Sequence, residues 1–338
     1  MIWLTWRQFR IQAIAGLVVL AAVVATYVAT RPALLGLAED TGYTGCTANC
    51  GQAANTFRNE VNSEIFGRLF FLGPIVLFGT PALIGLFWGA PLVARELETG
   101  THRLVWNQTV SRTRWLAVKL AAVGLAAAAT AGLISLAITW WASPIDRAGG
   151  WMAPGVFGAR GLVPIGYAAF AFVAGVAVGM LLRRTVAAMA VTLVVVAAAM
   201  VASPLVLRPH LAARTTYSAP LTADAIGPIG INVNDPSREI RVGADNPVPG
   251  GWTLSNEILT STGETFRGPY DPASCGPQSS SGMQGCQKWI ATQNLEVRAV
   301  YLGADKFWVL QWRELGVFLV ASALLAAFCF WWIRRRVT

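Results

Sequence analysis

Residues 95–119 read RELETGTHRLVWNQTVSRTRWLAVK. This short charged stretch lies between two long apolar runs, residues 69–94 and 116–141. Neither run contains Asp, Glu, Arg or His, and Lys119, near the start of the second, is placed to snorkel toward the headgroups. Each run has at least the ~20 residues needed to cross a hydrocarbon core of about 30 Å at 1.5 Å per residue. The stretch therefore reads as a loop between two membrane helices.

Four more runs have the same character: residues 11–30, 162–182, 186–207 and 315–333. Across the chain 55% of residues are hydrophobic and 13% charged, against about 25% charged in an ordinary soluble domain. The expected fold is an all-α polytopic membrane protein with six transmembrane helices. A signal sequence is the rival reading of the first run. Its apolar region would span only about 7–15 residues, and here the run has 20. Residues 1–10, MIWLTWRQFR, combine Trp3 and Trp6 with Arg7 and Arg10. They predict an amphipathic interfacial helix lying on the membrane surface.

Orientation follows from positive charge. With both termini inside, the cytoplasmic side holds Arg7, Arg10, Arg95, Arg103, Arg112, Arg114, Lys119, Arg183, Arg184, Arg334, Arg335 and Arg336. Against these twelve stand only Glu96 and Glu98. The remaining 14 basic and 15 acidic residues nearly cancel on the outside. The net charge of +9 is thus explained by topology, and no nucleic-acid partner is implied; zinc-finger spacing and a long basic helix are both missing. The expected location is a plasma membrane, with N- and C-termini cytoplasmic.

The domain expectation follows: residues 1–10 interfacial, 11–207 five spans with a cytoplasmic loop at 95–115, 208–313 an extracellular domain, and 314–338 the sixth span with a basic tail. Residues 183–185 make a tight hairpin between spans four and five. The outer domain is rich in Gly, Pro, Ser, Thr and Asn, and alternating patterns at 229–242, 251–259 and 294–301 suggest strands. It reads as a small α+β or irregular domain, with Trp252 and Tyr270 in its core. A polar stretch at 52–68 suggests a helix along the surface.

Cys46, Cys50, Cys275 and Cys286 are all external by this topology, and Cys329 sits alone in the last span. Disulfides are expected, the most local pairing being Cys46–Cys50 and Cys275–Cys286. Four cysteines allow three connectivities, which the sequence leaves open. A metal site is not expected, since His102 and His210 fall on opposite sides of the membrane.

No GxxxxGK[ST] phosphate loop is present, so the chain is not expected to hydrolyse ATP or hold a cofactor of its own. No acid or histidine is expected at membrane depth, and no nucleophile–base set for an enzyme. These gaps favour a subunit driven by another protein. Residues 95–119 are where it would be driven: Gly100 permits a turn, Thr99 or Thr101 can cap a following helix over 102–110, and Arg112 and Arg114 mark re-entry into the membrane. The plain alternative is a solvated loop whose arginines only fix topology.

The same residues resemble the RE-x-E-x-G-T … SR … K pattern of type-2 ABC transporter permeases. Arg95, Glu96, Glu98, Gly100, Thr101, Ser111, Arg112 and Lys119 match it. The opening WLTWRQFR and the ending FWVLQWRELGVFLV … FCFWWIRRR are similar to a group of actinobacterial permeases. The resemblance implies a coupling helix at about residues 98–110, with His102 and Arg103 in it and Arg114 beside it. It also implies a cytoplasmic ABC ATP-binding subunit that binds the ATP and Mg, a second permease copy or paralogue, and export of an amphipathic drug, lipid or peptide. Spans one, two and five would flank the central path. Two departures stand out. Thr109–Val110 replaces the usual proline before the SR, and the outer segment is longer than the family's helical hairpin, which implies an added domain.

Phe70, Phe71, Phe78 and Phe87 along the second span are candidates for a greasy substrate path, or they face lipid. Small residues at four-residue spacing, Gly85/Gly89, Gly124/Ala128/Gly132 and Gly175/Gly179, are candidates for a dimer contact. The paired tryptophans at span ends fit an interfacial belt. The rival function is a non-transporting membrane protein whose outer domain binds a ligand or envelope partner; a membrane enzyme ranks last.

Overall fold

The computed structural model describes residues 2–48, 50–101, 111–231, 239–244, 250–276 and 282–335. Among the described residues, six stretches are long and apolar enough to cross a membrane: Phe9–Asp40, Ile65–Glu98, Arg112–Gly149, Val163–Leu182, Thr185–His210 and Ala304–Arg335. All but the fourth extend past the charge-free runs, and Asp146, Arg208 and Glu314 on these extensions are paired inside the bundle. The first helix, α1 (Ile2–Asp40), is unbroken. The interfacial segment expected at 1–10 is therefore the leading part of the same helix; no cap, Gly or Pro stands near residue 10 to interrupt it.

After a loop closed by the Cys46–Cys50 disulfide comes α2 (Gly51–Ser63), an amphipathic helix that buries Phe57 and Val61. The second span is built in three pieces: α3 (Ile65–Leu83), a π-helical turn (Ile84–Gly89) and α4 (Ala90–Glu98). Next come α5 (Arg112–Gly149), a one-turn α6 (Pro154–Phe157), and α7 (Val163–Leu182). The expected hairpin follows: Arg183 adopts a left-handed conformation (φ 53°), and α8 (Thr185–Ala202) starts at once. A second π turn (Ser203–Leu207) and a 3-10 turn (Arg208–His210) finish the fifth span. The sixth is α11 (Phe307–Arg335).

Helix α7 is the hub: two thirds of its apolar window is buried, against 6% for the first span and 17% for the fifth. Its small residues explain why. A Cβ on Gly175 would stand 2.6 Å from the Gly85 carbonyl and 2.8 Å from the Ala90 nitrogen. One on Gly89 would stand 2.5 Å from the Phe172 carbonyl, and one on Gly179 2.6 Å from that of Ala90. Backbone meets backbone here. Lipid gives helices no hydrophobic reason to associate, so close approach through small residues supplies the packing instead. Gly124 and Gly132 of α5 likewise face Phe172 and Ile165 of α7. The glycines expected at a dimer contact are thus consumed inside one chain. The π turn sits at this seam and turns Gly85 and Gly89 onto α7; such turns recur where helices carry function.

Two apolar clusters fill the bundle. One joins Phe9, Trp88, Val93, Trp115, Met180 and Ile333, so it marks the end where both termini lie. The other joins Tyr27, Leu34, Phe57, Phe66, Ile138 and Trp141 toward the opposite end.

Residues Ala212–Lys306 form a separate compact unit. Strands β1 (Thr215–Pro220), β4 (Trp252–Leu259) and β5 (Glu296–Leu302) make an antiparallel sheet in the order β1-β5-β4. Strands β2 (Ile226–Ile231) and β3 (Ile240–Ala244) pair as a second sheet. The expected strand at 229–242 resolves into β2 and β3. Strand β1 escaped the sequence reading because TTYSAP carries no apolar alternation, and it is nearly all exposed. Helices α9 (Pro272–Cys275) and α10 (Gly282–Ala291) are joined by the Cys275–Cys286 disulfide. Leu221, Ile240, Ile258, Ile290 and Val297 form the core, with Trp252 and Tyr270 buried as expected.

Candidate functional site

At the termini end, α4 and α5 are the two legs of the charged loop between the second and third spans. Helix α4 ends at Glu98; Thr99 bonds back to the Arg95 carbonyl at 2.8 Å, and Gly100 takes a left-handed φ of 72° that lets the chain turn away. Ser111 caps α5, its hydroxyl accepting from the Arg114 amide at 3.3 Å. His102 and Arg103, with the rest of the expected coupling helix, lie outside the described residues.

The two acids of the loop are both bonded within the chain. Glu96 is buried, and its Oε1 accepts from Lys119 Nζ at 2.6 Å. Lys119 is 2% exposed, donates also to the Leu92 carbonyl at 3.3 Å, and lies 4.6 Å from the centre of the Trp115 ring. Snorkelling is therefore replaced by an internal ion pair that ties α4 to α5. A lysine this far down a helix has no path to water, and a carboxylate on the adjacent leg is its available partner. Glu98 accepts from the Thr185 amide at 2.9 Å and its hydroxyl at 2.7 Å. It thus caps α8, whose first amides have no partner inside the helix and whose dipole favours an anion. Arg95, Thr101, Ser111 and Arg114 are exposed, while Gly100 and Arg112 are half-buried. Beside them is a cleft of about 420 Å³ lined by Phe9, Phe87, Trp88, Pro91, Arg95 and Thr99 among others.

The capping role makes a prediction. Glu98→Ala should speed amide hydrogen exchange in the first turn of α8 while leaving the unfolding midpoint of the bundle little changed. Unchanged exchange there would show that the cap contributes nothing.

The four phenylalanines are not brought to one surface. Phe71 and Phe87 are 65% and 47% exposed on the outside of the bundle. Phe70 lies under the Arg160 guanidinium, and Phe78 packs on Tyr167. Among the tryptophans, Trp140, Trp308, Trp312 and Trp331 are exposed, as a belt would have them. Trp141 is fully buried and donates to the Thr30 hydroxyl at 3.0 Å.

Acids are nevertheless buried inside the protein. Asp146 pairs with Arg160 (2.7 Å) and Glu314 with Arg208 (2.9 Å), all four 3% exposed or less. The sequence did hold a signal. Gln311 and Glu314 are three apart and share a helix face, while Trp308 and Trp312 take the exposed one. The charge-free run of the sixth span begins only at 315, beyond this pair. Among the described residues no group of three or more His, Cys, Asp or Glu could hold a metal ion.

Residues 17–208 match the family model described as ABC-2 membrane transporter related. The chain belongs to this family. No curated protein and no solved structure matches it significantly. This ABC-2-related chain is thus a multi-pass membrane protein of transporter-permease type. The matched stretch takes in both legs of the loop and stops at Arg208, before the Ala212–Lys306 unit begins. Residues 1–16, the inserted unit and the sixth helix lie outside the match.

Proposed function

We propose that this chain is the membrane half of an ATP-driven transporter, worked by a separate ATP-binding subunit that docks on the loop between α4 and α5 and exports an amphipathic compound. A second permease copy or paralogue completes the path, in a plasma membrane with both termini cytoplasmic. The observation that carries the reading is the Glu96–Lys119 pair at the base of a loop that lies within the family match. It joins the two legs, so a push on the loop moves both helices together. A conformational change needs a difference in interaction free energy between its two states, and ATP binding to the partner supplies it. Twelve basic residues against two acids on that side support the orientation. The exposed apolar faces of α1 and α8, with Ile11, Leu17, Val186 and Val194 well out of the core, suit lipid or a second copy.

The test is co-purification with an ATPase carrying a phosphate loop, followed by ATP hydrolysis with and without the permease. Replacing Arg112 and Arg114 together by alanine should lower the stimulated rate several-fold and leave membrane insertion intact. Undiminished stimulation would remove the coupling role from this loop. Glu96 is unsuitable for this experiment, because its loss strands Lys119 inside the bundle.

A further inference from the structure

The end of the bundle away from the termini is closed by polar side chains. Arg208 and Glu314 are 1% and 0% exposed. The guanidinium donates through Nε to Oε2 at 2.9 Å and through Nη2 to Oε1 at 3.1 Å. Glu314 Oε1 accepts further from the Tyr167 hydroxyl at 2.7 Å and the Ser203 hydroxyl at 2.5 Å. Arg208 Nη1 donates to the Pro154 carbonyl at 3.3 Å, and the guanidinium lies 4.4 Å over the Phe157 ring. One carboxylate thus ties together α7, the π turn after α8, the 3-10 turn and α11.

The place of this knot along the chain is informative. Arg208 stands just before Ala212, where the inserted unit begins, and Glu314 just after Lys306, where it ends. The neighbouring Arg313 donates to the carbonyl of Leu211. Both chain crossings into the inserted unit are therefore fastened to each other inside the bundle.

Stability alone does not call for charges here. Desolvating each ion costs several kcal/mol, and apolar residues of like volume hold such positions as well or better. Reversible opening does call for them. Parting an apolar seam exposes surface at about 25 cal/mol per Å², whereas parting an ion pair into water gives each charge back its hydration. We propose that Arg208–Glu314 is a latch at the neck of the inserted unit, closed in this conformation, which parts when the bundle opens at that end. The proposal rests on the transport reading above.

Ser203→Cys, in a chain whose one cysteine outside the disulfides is removed by Cys329→Ser, reports opening through its reaction with a charged thiol reagent. Ser135→Cys, equally buried on α5, is the control. In vesicles with the partner ATPase, ATP should speed labelling at position 203 about tenfold, as for an open state rising from near 1% toward 10%, and leave position 135 unchanged. Arg208→Met with Glu314→Leu should keep the fold, shown by an intact unfolding transition, and abolish the acceleration. Without any ATPase, Glu314→Gln should by itself speed labelling at 203 but not at 135. The latch is overturned if labelling at 203 ignores ATP under turnover, if the apolar double variant opens like the parent, or if Glu314→Gln changes nothing. If no ATPase responds to the chain, the transport reading fails, and the Glu314→Gln comparison still decides the latch.

Discussion

Glu314→Leu, with Arg208 kept, is expected to lower the unfolding free energy by about 3–5 kcal/mol, the cost of leaving a buried charge without its partner. Arg208 is 1% exposed and pinned under Phe157, so its guanidinium cannot swing out to water without dragging the 3-10 turn. The Tyr167 and Ser203 hydroxyls lose their acceptor as well. Adding Arg208→Met should recover most of the loss, because both ions are then gone. What remains is the two hydroxyls, at about 1 kcal/mol each. Thermal unfolding in nanodiscs measures the difference. Equal losses in the single and double variants would mean that the charge contributes little and packing volume decides.

Gly175→Ala is the second large effect. The added methyl would meet the Gly85 carbonyl at 2.6 Å, the Ala90 nitrogen at 2.8 Å and the Gly89 carbonyl carbon at 3.0 Å. All three are backbone atoms of the second span, so no side chain can turn aside. Overpacking of this kind costs about 1–3 kcal/mol, and here it also forces apart the helix pair that carries the π turn. Gly79→Ala on the same span is the matched control: nothing lies within 4 Å of its new methyl, and alanine is the better helix former by up to about 1 kcal/mol. The two variants should move the unfolding midpoint in opposite directions. A loss at both would place the effect in the helix itself and clear the α7 seam.

Much of this was legible in the amino-acid order. Six apolar runs give six helices of spanning length, because a backbone in lipid has to satisfy its own hydrogen bonds and a helix does so locally. Cysteines four and eleven residues apart gave the two bridges, since nearby residues close small loops with little search. The turn at Gly100 was readable for a like reason: it depends on the backbone freedom of one residue. Glu96 and Glu98 were readable as a motif; that Glu96 is buried and Glu98 exposed was not. A motif records which residues occur together, not which way they face.

Residue order by itself therefore determined the helices, their succession, the position of the inserted unit and the bias of positive charge to one side. All of these depend on a residue and its near neighbours, or on a sum over a segment. Tertiary structure alone decided the partners. Lys119 meets Glu96 across 23 positions, Arg160 meets Asp146 across 14, and Glu314 meets Arg208 across 106. It also decided that Gly85, Gly89, Gly175 and Gly179 spend their smallness on each other. A buried charge or a missing side chain is stable only against a particular surface, and that surface exists once the helices have come together.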